Sequence, residues 1–407
     1  MLITKRNGKQ ELFNRNKIVV ALEKAFKASD YKIDHKVLDE IVNSIEIWEE
    51  ITVENIQDQV EELLMDYDYP TVAKNYIIYR YEREAIRDSK KDLTKALTEK
   101  LQAKSISNQN ANVDEYSFGG RIGEASRYVT KDYALNNCMS KMAKDNHLNN
   151  EIYIHDLDSY AVGMHNCLSI PFDDLLAKGF NTRQTDVRPA NSINTAFQLV
   201  AVIFQIQSLQ QFGGVSATHL DWTMVPYVRK SFYKHYSTFL KYSESTGFED
   251  FGKSPEDISI EDSYYKSNKK AYSYAFDITY KELNQAVEGM YHNLNTLQSR
   301  SGNQLPFSSI NYGTCTLLEG QLVTRALLEG SIKGVGKFGK TSIFPCGIFQ
   351  YMKGVNDKPG TPNYDLFRLA LKSTAQRLYP NYANCDWSGN VGYDINDPRT
   401  YFSTMGK

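Results

Sequence analysis

The stretch that decides the fold class is Pro306-Phe307-Ser308-Ser309-Ile310-Asn311-Tyr312-Gly313-Thr314-Cys315-Thr316-Leu317, taken with the residues on its C-terminal side. It reads as a strand, and Gln321–Ile332 behind it carries a helical pattern. A second strand is expected in Thr341–Met352 and a second helix in Tyr364–Leu378. Strand, helix, strand, helix with loops of ordinary length implies parallel βαβ units with right-handed crossovers, hence an α/β sheet or barrel. Periodicity does not choose between those two.

Upstream, the apolar helix Asn194–Gln211 runs to Gly213-Gly214, which reads as a left-handed stop. Phe251–Lys270, rich in charge, Ser and Tyr, reads as a surface insertion. The first 90 residues differ: Leu2–Lys5 and Glu11–Phe13 flank the turn-forming Asn7-Gly8 and predict a short β-hairpin. Helices come next. Ile18, Leu22, Ala25 and Phe26 recur at helical spacing, as do Ile56, Val60, Leu63 and Leu64 after Thr52, an expected N-cap. Pro70 breaks that run, and Val72, Tyr76, Tyr79 and Ile86 predict another amphipathic helix. The charged Arg87-Asp88-Ser89-Lys90-Lys91-Asp92 reads as a helix end or solvated linker, which divides the chain into domains 1–92 and 93–407.

The bulk composition is consistent with two globular domains: 407 residues, 41% of them hydrophobic,. A formal charge of -2, from 47 basic and 49 acidic residues, argues against a nucleic-acid or anionic-membrane partner. Leu199–Phe204, cut by Gln198 and Gln205, is far shorter than the roughly 20 residues of a membrane span. Met1-Leu2-Ile3-Thr4-Lys5-Arg6 turns polar before a secretory core forms. The five cysteines have neither disulfide-framework nor CxxC spacing, so a reducing cytoplasm is expected and no metal site is assigned.

Several groups have the makings of sites. Lys5-Arg6-Asn7-Gly8, with Glu11, Asn14 and Lys17, puts cations beside a tight turn and a helix start, the ingredients for holding a triphosphate. Taken alone, such a Lys-Arg pair is ordinary solvated surface. Gly119-Gly120-x-x-Gly123 reads first as a turn. His155 and Asp158, at i and i+3, are too few for a metal. A lone cysteine is ordinarily a small buried hydrophobe.

Whole phrases shift that balance. Residues 2–17, with the helices ending Val72-Ala73-Lys74-Asn75-Tyr76-Ile77-Ile78-Tyr79-Arg80-Tyr81, resemble the ATP-cone domain at the start of many ribonucleotide reductases. The resemblance implies that Ile3, Lys5, Arg6, Glu11, Asn14 and Lys17 bind nucleotide, with Lys5, Arg6 and Lys17 on phosphates and Asn14 and Glu11 nearer sugar and base. ATP and dATP would compete there as allosteric effectors. Asn7 replaces the commoner acidic residue of that turn.

Ser117-Phe118-Gly119-Gly120-Arg121-Ile122-Gly123-Glu124, His155-Asp156-Leu157-Asp158, His165-Asn166-Cys167, Phe212-Gly213-Gly214-Val215-Ser216 and Ser299–Thr314 occur in an order similar to the catalytic subunit of anaerobic, class III ribonucleotide reductases. The likeness runs on through Ile343-Phe344-Pro345 and Asn363–Phe367 to Tyr401-Phe402-Ser403-Thr404-Met405-Gly406. It implies a partial ten-stranded glycyl-radical-type α/β barrel behind a small helical ATP-cone, and reduction of ribonucleoside triphosphates to 2′-deoxyribonucleoside triphosphates.

Replacing a ribose 2′-OH by hydrogen is hard until the 3′ carbon is made a radical. A thiyl radical suits that task, and a second thiol on the opposite face delivers a hydrogen atom. Cys167 matches the family's second cysteine. His165 and Asn166 are expected to shape the substrate pocket, and Cys138, Cys315, Cys346 and Cys385 to be structural. In the family Met-Gly is followed by the radical cysteine; here Met405-Gly406 is followed by Lys407. The expectation is therefore of a part-reductase, inactive alone, from an interrupted or split gene. Its radical cysteine, glycyl radical and zinc would lie in a separate C-terminal portion. The resemblance further implies a homodimer and a radical-SAM iron–sulfur activating enzyme. The competing expectation is an inactive remnant or a regulatory nucleotide-binding protein.

Overall fold

The computed structural model describes residues 2–5, 9–102, 113, 116–163, 165–243, 252, 254–300, 303–387, 389–390 and 392–406. The chain divides into two compact units, Met1–Thr98 and Glu99–Lys407. No helix of the described residues is long and apolar enough to cross a membrane.

In the first unit, β1 (Leu2–Thr4) and β2 (Gln10–Leu12) pair antiparallel with Ile3 opposite Glu11, as the flanking pattern predicts. Arg6 and the Asn7-Gly8 turn lie outside the described residues. Helices α1 (Arg15–Ala28), α2 (His35–Ser44) and α3 (Val53–Asp66) come after the hairpin. Ile18, Leu22, Ala25 and Phe26 of α1 share one core with Leu38 and Ile41 of α2 and with Ile56, Val60 and Leu64 of α3. Thr52 caps α3 reciprocally: its hydroxyl accepts from the Asn55 N–H while the Asn55 side chain accepts from the Thr52 N–H,. The Thr4 N–H donates to the Ile51 carbonyl at 2.9 Å, tying the hairpin to this cap.

Helix α4 (Pro70–Gln102) starts at Pro70, where a missing N–H is no loss. It then departs from the sequence reading by running unbroken through Arg87–Asp92. Lys and Arg are good helix formers, and no Gly or Pro interrupts that stretch. Arg80 holds α4 to α3 by donating to Glu54, Asp58 and Glu61 at 2.7, 2.6 and 2.9 Å. Tyr79, expected on the buried stripe, is exposed.

The second unit begins with α5 (Phe118–Tyr133), a π-helical turn at Ala134–Cys138 and α6 (Lys141–Leu148). Strand β3 (Leu168–Ser169), α7 (Phe172–Lys178), a small hairpin of β4 (Phe180–Asn181) and β5 (Asp186–Val187), and α8 (Ile193–Ser208) come next. After them run β6 (Val215–Ala217), α9 (Leu220–Thr223), α10 (Val225–Tyr242), α11 (Ser263–Ser267) and α12 (Lys269–Thr296). The last stretch alternates: β7 (Ser308–Tyr312), α13 (Leu318–Lys333), β8 (Cys346–Tyr351), α14 (Tyr364–Arg377) and β9 (Asn381–Asn384). Strands β3, β6, β7, β8 and β9 form one all-parallel sheet in chain order. The strand–helix–strand–helix reading is thus an α/β sheet, with both strands shorter than their sequence stretches.

Two local readings are corrected. Helix α8 ends at Ser208 with Leu209 in right-handed geometry, and neither Gly213 nor Gly214 has positive φ. Gly213 instead lets two chain segments approach closely, with Asn166 packed against its backbone. Phe251–Lys270 is not merely surface, because Ile258, Ile260 and Tyr265 are buried in the main core.

The faces of the sheet differ. Val215, Ala217, Ile310, Tyr312 and Phe349 enter the core with α8, α10, α12 and α13. The intervening positions, Ser216, Ser309, Asn311 and Gln350, are polar and buried on the opposite face. Their partners come from the backbone of Phe402–Gly406. Asn311 donates through Nδ2 to the Thr404 carbonyl at 3.0 Å and accepts the Thr404 N–H at 3.1 Å. The Ser309 hydroxyl donates to the Gly406 carbonyl at 3.0 Å and accepts its N–H at 3.2 Å. Gln350 Nε2 donates to the Phe402 carbonyl at 2.9 Å.

At the carboxyl end of β7, fully buried Asp221 accepts N–H groups of Gly313 and Cys315, each at 2.9 Å, and of Trp222 at 3.1 Å. Burial pushes its carboxyl above the usual range against the pull of those amides,. Replacing Asp221 by Ala should orphan these donors and lower unfolding free energy by about 2–4 kcal/mol, read as a shift of the urea midpoint. Asn311→Ala should leave the core intact and speed amide hydrogen exchange selectively at Thr404, measured by mass spectrometry.

Candidate functional site

Cys167 stands immediately before β3, where the chain enters the sheet. Two backbone hydrogen bonds and one to the thiol zip this approach to the one before β6: Phe212 N–H to the His165 carbonyl at 3.2 Å, Leu168 N–H to the Gly214 carbonyl at 3.0 Å, and Gly214 N–H to Cys167 Sγ at 3.3 Å. The Cys167 thiol is 3.5 Å from Asn166 Oδ1. A Cβ on Gly213 would fall 1.6 Å from the Asn166 carbonyl oxygen, so this closeness requires glycine. Cys167 is half-buried, whereas His165 and Asn166 are exposed.

A cavity of about 610 Å³ reaches these approaches at Phe212. Its walls carry both signs of charge, Arg127, Lys131 and Arg300 against Glu124, Asp132, Asp156 and Asp158, with Phe212 and Phe307 as apolar panels. His165, Asn166 and Cys167 are not among its lining residues. Arg300 lines the cavity and reaches the loop that bonds the thiol. Its guanidinium donates to the carbonyls of Phe212 and of Gly213, the latter at 3.2 Å, and lies 4.0 Å over the Phe307 ring. Burial, then the charge of Arg127, lowers its pKa to about 10, with Asp156, Asp158 and Cys167 pulling the other way. Gln304 is buried, and its Oε1 has no hydrogen-bond partner.

The other motif residues fall around this frame. His155 pairs with its neighbour Asp156, and Asp158 pairs with Arg127 at 3.4 Å, so His155 and Asp158 are not joined. Gly119 and Gly120 lie in the first turn of α5, capped by Ser117. Gly119 leaves room for Asn303, which donates to the Ser117 hydroxyl at 2.8 Å. Cys315, Cys346 and Cys385 are buried and Cys138 is exposed. Among the described residues no group of three or more His, Cys, Asp or Glu side chains is arranged to hold a metal.

In the first unit, Glu11 on β2 receives Lys5 from one side and Lys17, in the first turn of α1, from the other. Asn14 is the N-cap of α1 and accepts the Asn16 N–H at 3.0 Å. Ile3 packs against the helical core. The structure thus gathers Lys5, Glu11 and Lys17 and sets Asn14 at the adjacent helix start.

The sequence reading did not assign roles to Arg300, Gln304, Ser309, Asn311 or Gln350. The alternation Ser309, Ile310, Asn311, Tyr312 carried a signal for two of them, since residues i and i+2 share a sheet face.

Comparison with known proteins matches the anaerobic ribonucleoside-triphosphate reductase family over residues 109–406 and the ATP cone domain over residues 1–85. The anaerobic ribonucleoside-triphosphate reductase of Haemophilus influenzae is 31% identical over 99% of this chain and 55% of its own length. That of Escherichia coli is 30% identical over 99% of this chain and 54% of its own. The Thermotoga maritima anaerobic ribonucleotide reductase, crystallised with glycerol in the active site, aligns with a TM-score of 0.49 at 16% identity over 74% of this chain and 46% of that one. The chain spans about half the length of the curated relatives it matches. With its N-terminal ATP cone and a reductase match running over most of the remainder, the chain belongs to the anaerobic ribonucleoside-triphosphate reductase family.

Proposed function

We propose that this chain is the effector- and substrate-binding part of an enzyme that reduces ribonucleoside triphosphates to 2′-deoxyribonucleoside triphosphates by radical chemistry. Residues 1–92 serve as the regulatory ATP/dATP domain and residues 93–407 as the first part of the catalytic barrel. The observation that carries the proposal is the position of Cys167 at the entrance of an all-parallel sheet, within the span matching the family, its thiol bonded to a loop whose Phe212 lines a cavity of about 610 Å³. A nucleoside triphosphate fits such a volume, and the aromatic panels of Phe212 and Phe307 suit a base,.

In this reading Cys167 is the reductant thiol, giving a hydrogen atom to the ribose from the face opposite the abstraction. His165 and Asn166, on the same approach to the sheet, shape the substrate's surroundings next to the thiol. The polar sheet face holds the Tyr401–Gly406 segment towards the lumen of a ten-stranded barrel whose remaining strands the longer relatives supply. The glycyl radical and zinc belong to that further sequence; the described residues offer no cluster for zinc. The working enzyme is a cytoplasmic homodimer, switched on by a radical-SAM iron–sulfur activating enzyme.

At the hairpin, Lys5, Arg6 and Lys17 take the effector's phosphates, Asn14 and Glu11 lie nearer its sugar and base, and Ile3 backs them. An incoming phosphate replaces Glu11 on Lys5 and Lys17. The Lys5→Ala, Arg6→Ala double variant should weaken dATP binding by about 1–3 kcal/mol per charge-assisted contact, measured by calorimetry; an unchanged affinity rejects the site. Cys167→Ser should abolish product formation when the chain is reconstituted with the C-terminal portion of a relative. Full turnover in that variant would end the reductant assignment.

A further inference from the structure

The loop that donates to the Cys167 sulfur is itself held by a residue far away in sequence, Arg300. Arg300 is only 7% exposed. It sits where the chain folds back on itself before β7, the Arg300 N–H donating to the Gln304 carbonyl at 3.1 Å. From there its side chain reaches across to the approach to β6. One guanidinium nitrogen donates to the Gly213 carbonyl at 3.2 Å and the other to the Phe212 carbonyl, while the cation lies over the rings of Phe307 at 4.0 Å and Phe212 at 5.9 Å. The N–H of that same Gly213–Gly214 peptide donates to Cys167 Sγ at 3.3 Å. Stacking fixes the plane of the fork and the fork fixes two consecutive carbonyls. The Gly213 carbonyl and the Gly214 N–H belong to one planar peptide unit, so fixing the carbonyl aims the N–H on its other side.

We infer that Arg300 is a positioning residue for the Cys167 thiol, acting through the Phe212-Gly213-Gly214 loop. This rests on Cys167 being the reductant only for its meaning in catalysis; the effect on the sulfur itself stands without it. The aimed N–H holds the sulfur in one orientation towards an approaching electrophile, and that orientation loosens when the loop does,. Lys at 300 keeps a cation but loses the planar fork that spans two carbonyls, so it restores the setting only in part.

The test is iodoacetamide alkylation of the full chain near pH 8, with each cysteine followed separately by peptide mass spectrometry. Exposed Cys138 calibrates the reagent, and buried Cys315, Cys346 and Cys385 report on the integrity of the fold. Arg300→Met should slow alkylation of Cys167 by about threefold or more, the scale of one lost hydrogen bond, with Cys138 unchanged and the buried thiols still protected. Arg300→Lys should fall between the two. A Cys167 rate in Arg300→Met equal to the parent's overturns the inference. If that variant exposes the buried thiols, Arg300→Lys decides by the same comparison, a parental Cys167 rate again counting against it. Should Cys167→Ser retain turnover in the reconstituted enzyme, the reductant assignment falls while the alkylation result still judges Arg300.

Discussion

Burial of polar side chains on one face of a parallel sheet is the constraint on which the second unit depends. Parallel strands are ordinarily covered on both sides by apolar layers, and here only the helix-facing side follows that pattern. Ser216, Ser309, Asn311 and Gln350 are removed from water on the other side, and each such group is destabilising unless it is bonded. The Phe402–Gly406 backbone answers most of that need, with serine and asparagine gripping N–H and C=O of the same residue. Gln350 remains half-satisfied, its Oε1 without a partner. A segment that has to lie along a sheet to satisfy it is held far more firmly than a loop tied only at its ends.

The same logic accounts for what the sequence disclosed. Strand–helix alternation after residue 300 was legible because one face of each element is apolar, and period then reports structure directly. Thr52 and Pro70 were legible because capping and proline chemistry are local. The readings that failed depended on groups distant in sequence. Gly213 looked like a helix stop but is small because Asn166 lies against it. Ile258 and Tyr265 looked superficial in a charged stretch but reach the main core. Arg300 was visible only as part of a motif; its hold on Phe212 and Gly213 spans 88 and 87 positions.

Electrostatics divides the two candidate sites. In the hairpin, cations and carboxylate neutralise one another at an accessible surface, a resting state that an anion of higher charge can displace. At the cavity, Arg300 is desolvated, its bonds go to neutral carbonyls, and the charges of Asp156 and Asp158 face it from the same wall. The first arrangement suits reversible sensing of a soluble effector. The second suits a fixed site whose geometry is set before any ligand arrives.

The missing side chain at Gly213 has a consequence for descent as well as for structure. Every residue reachable from a glycine codon by one base change carries a Cβ, and a Cβ here would overlap a backbone oxygen that no rotamer change can move. The position therefore has no neutral neighbour in sequence space. Drift around the Cys167 approach must pass through side chains that can yield, while the spacing between the two strand entrances stays locked by a single hydrogen atom.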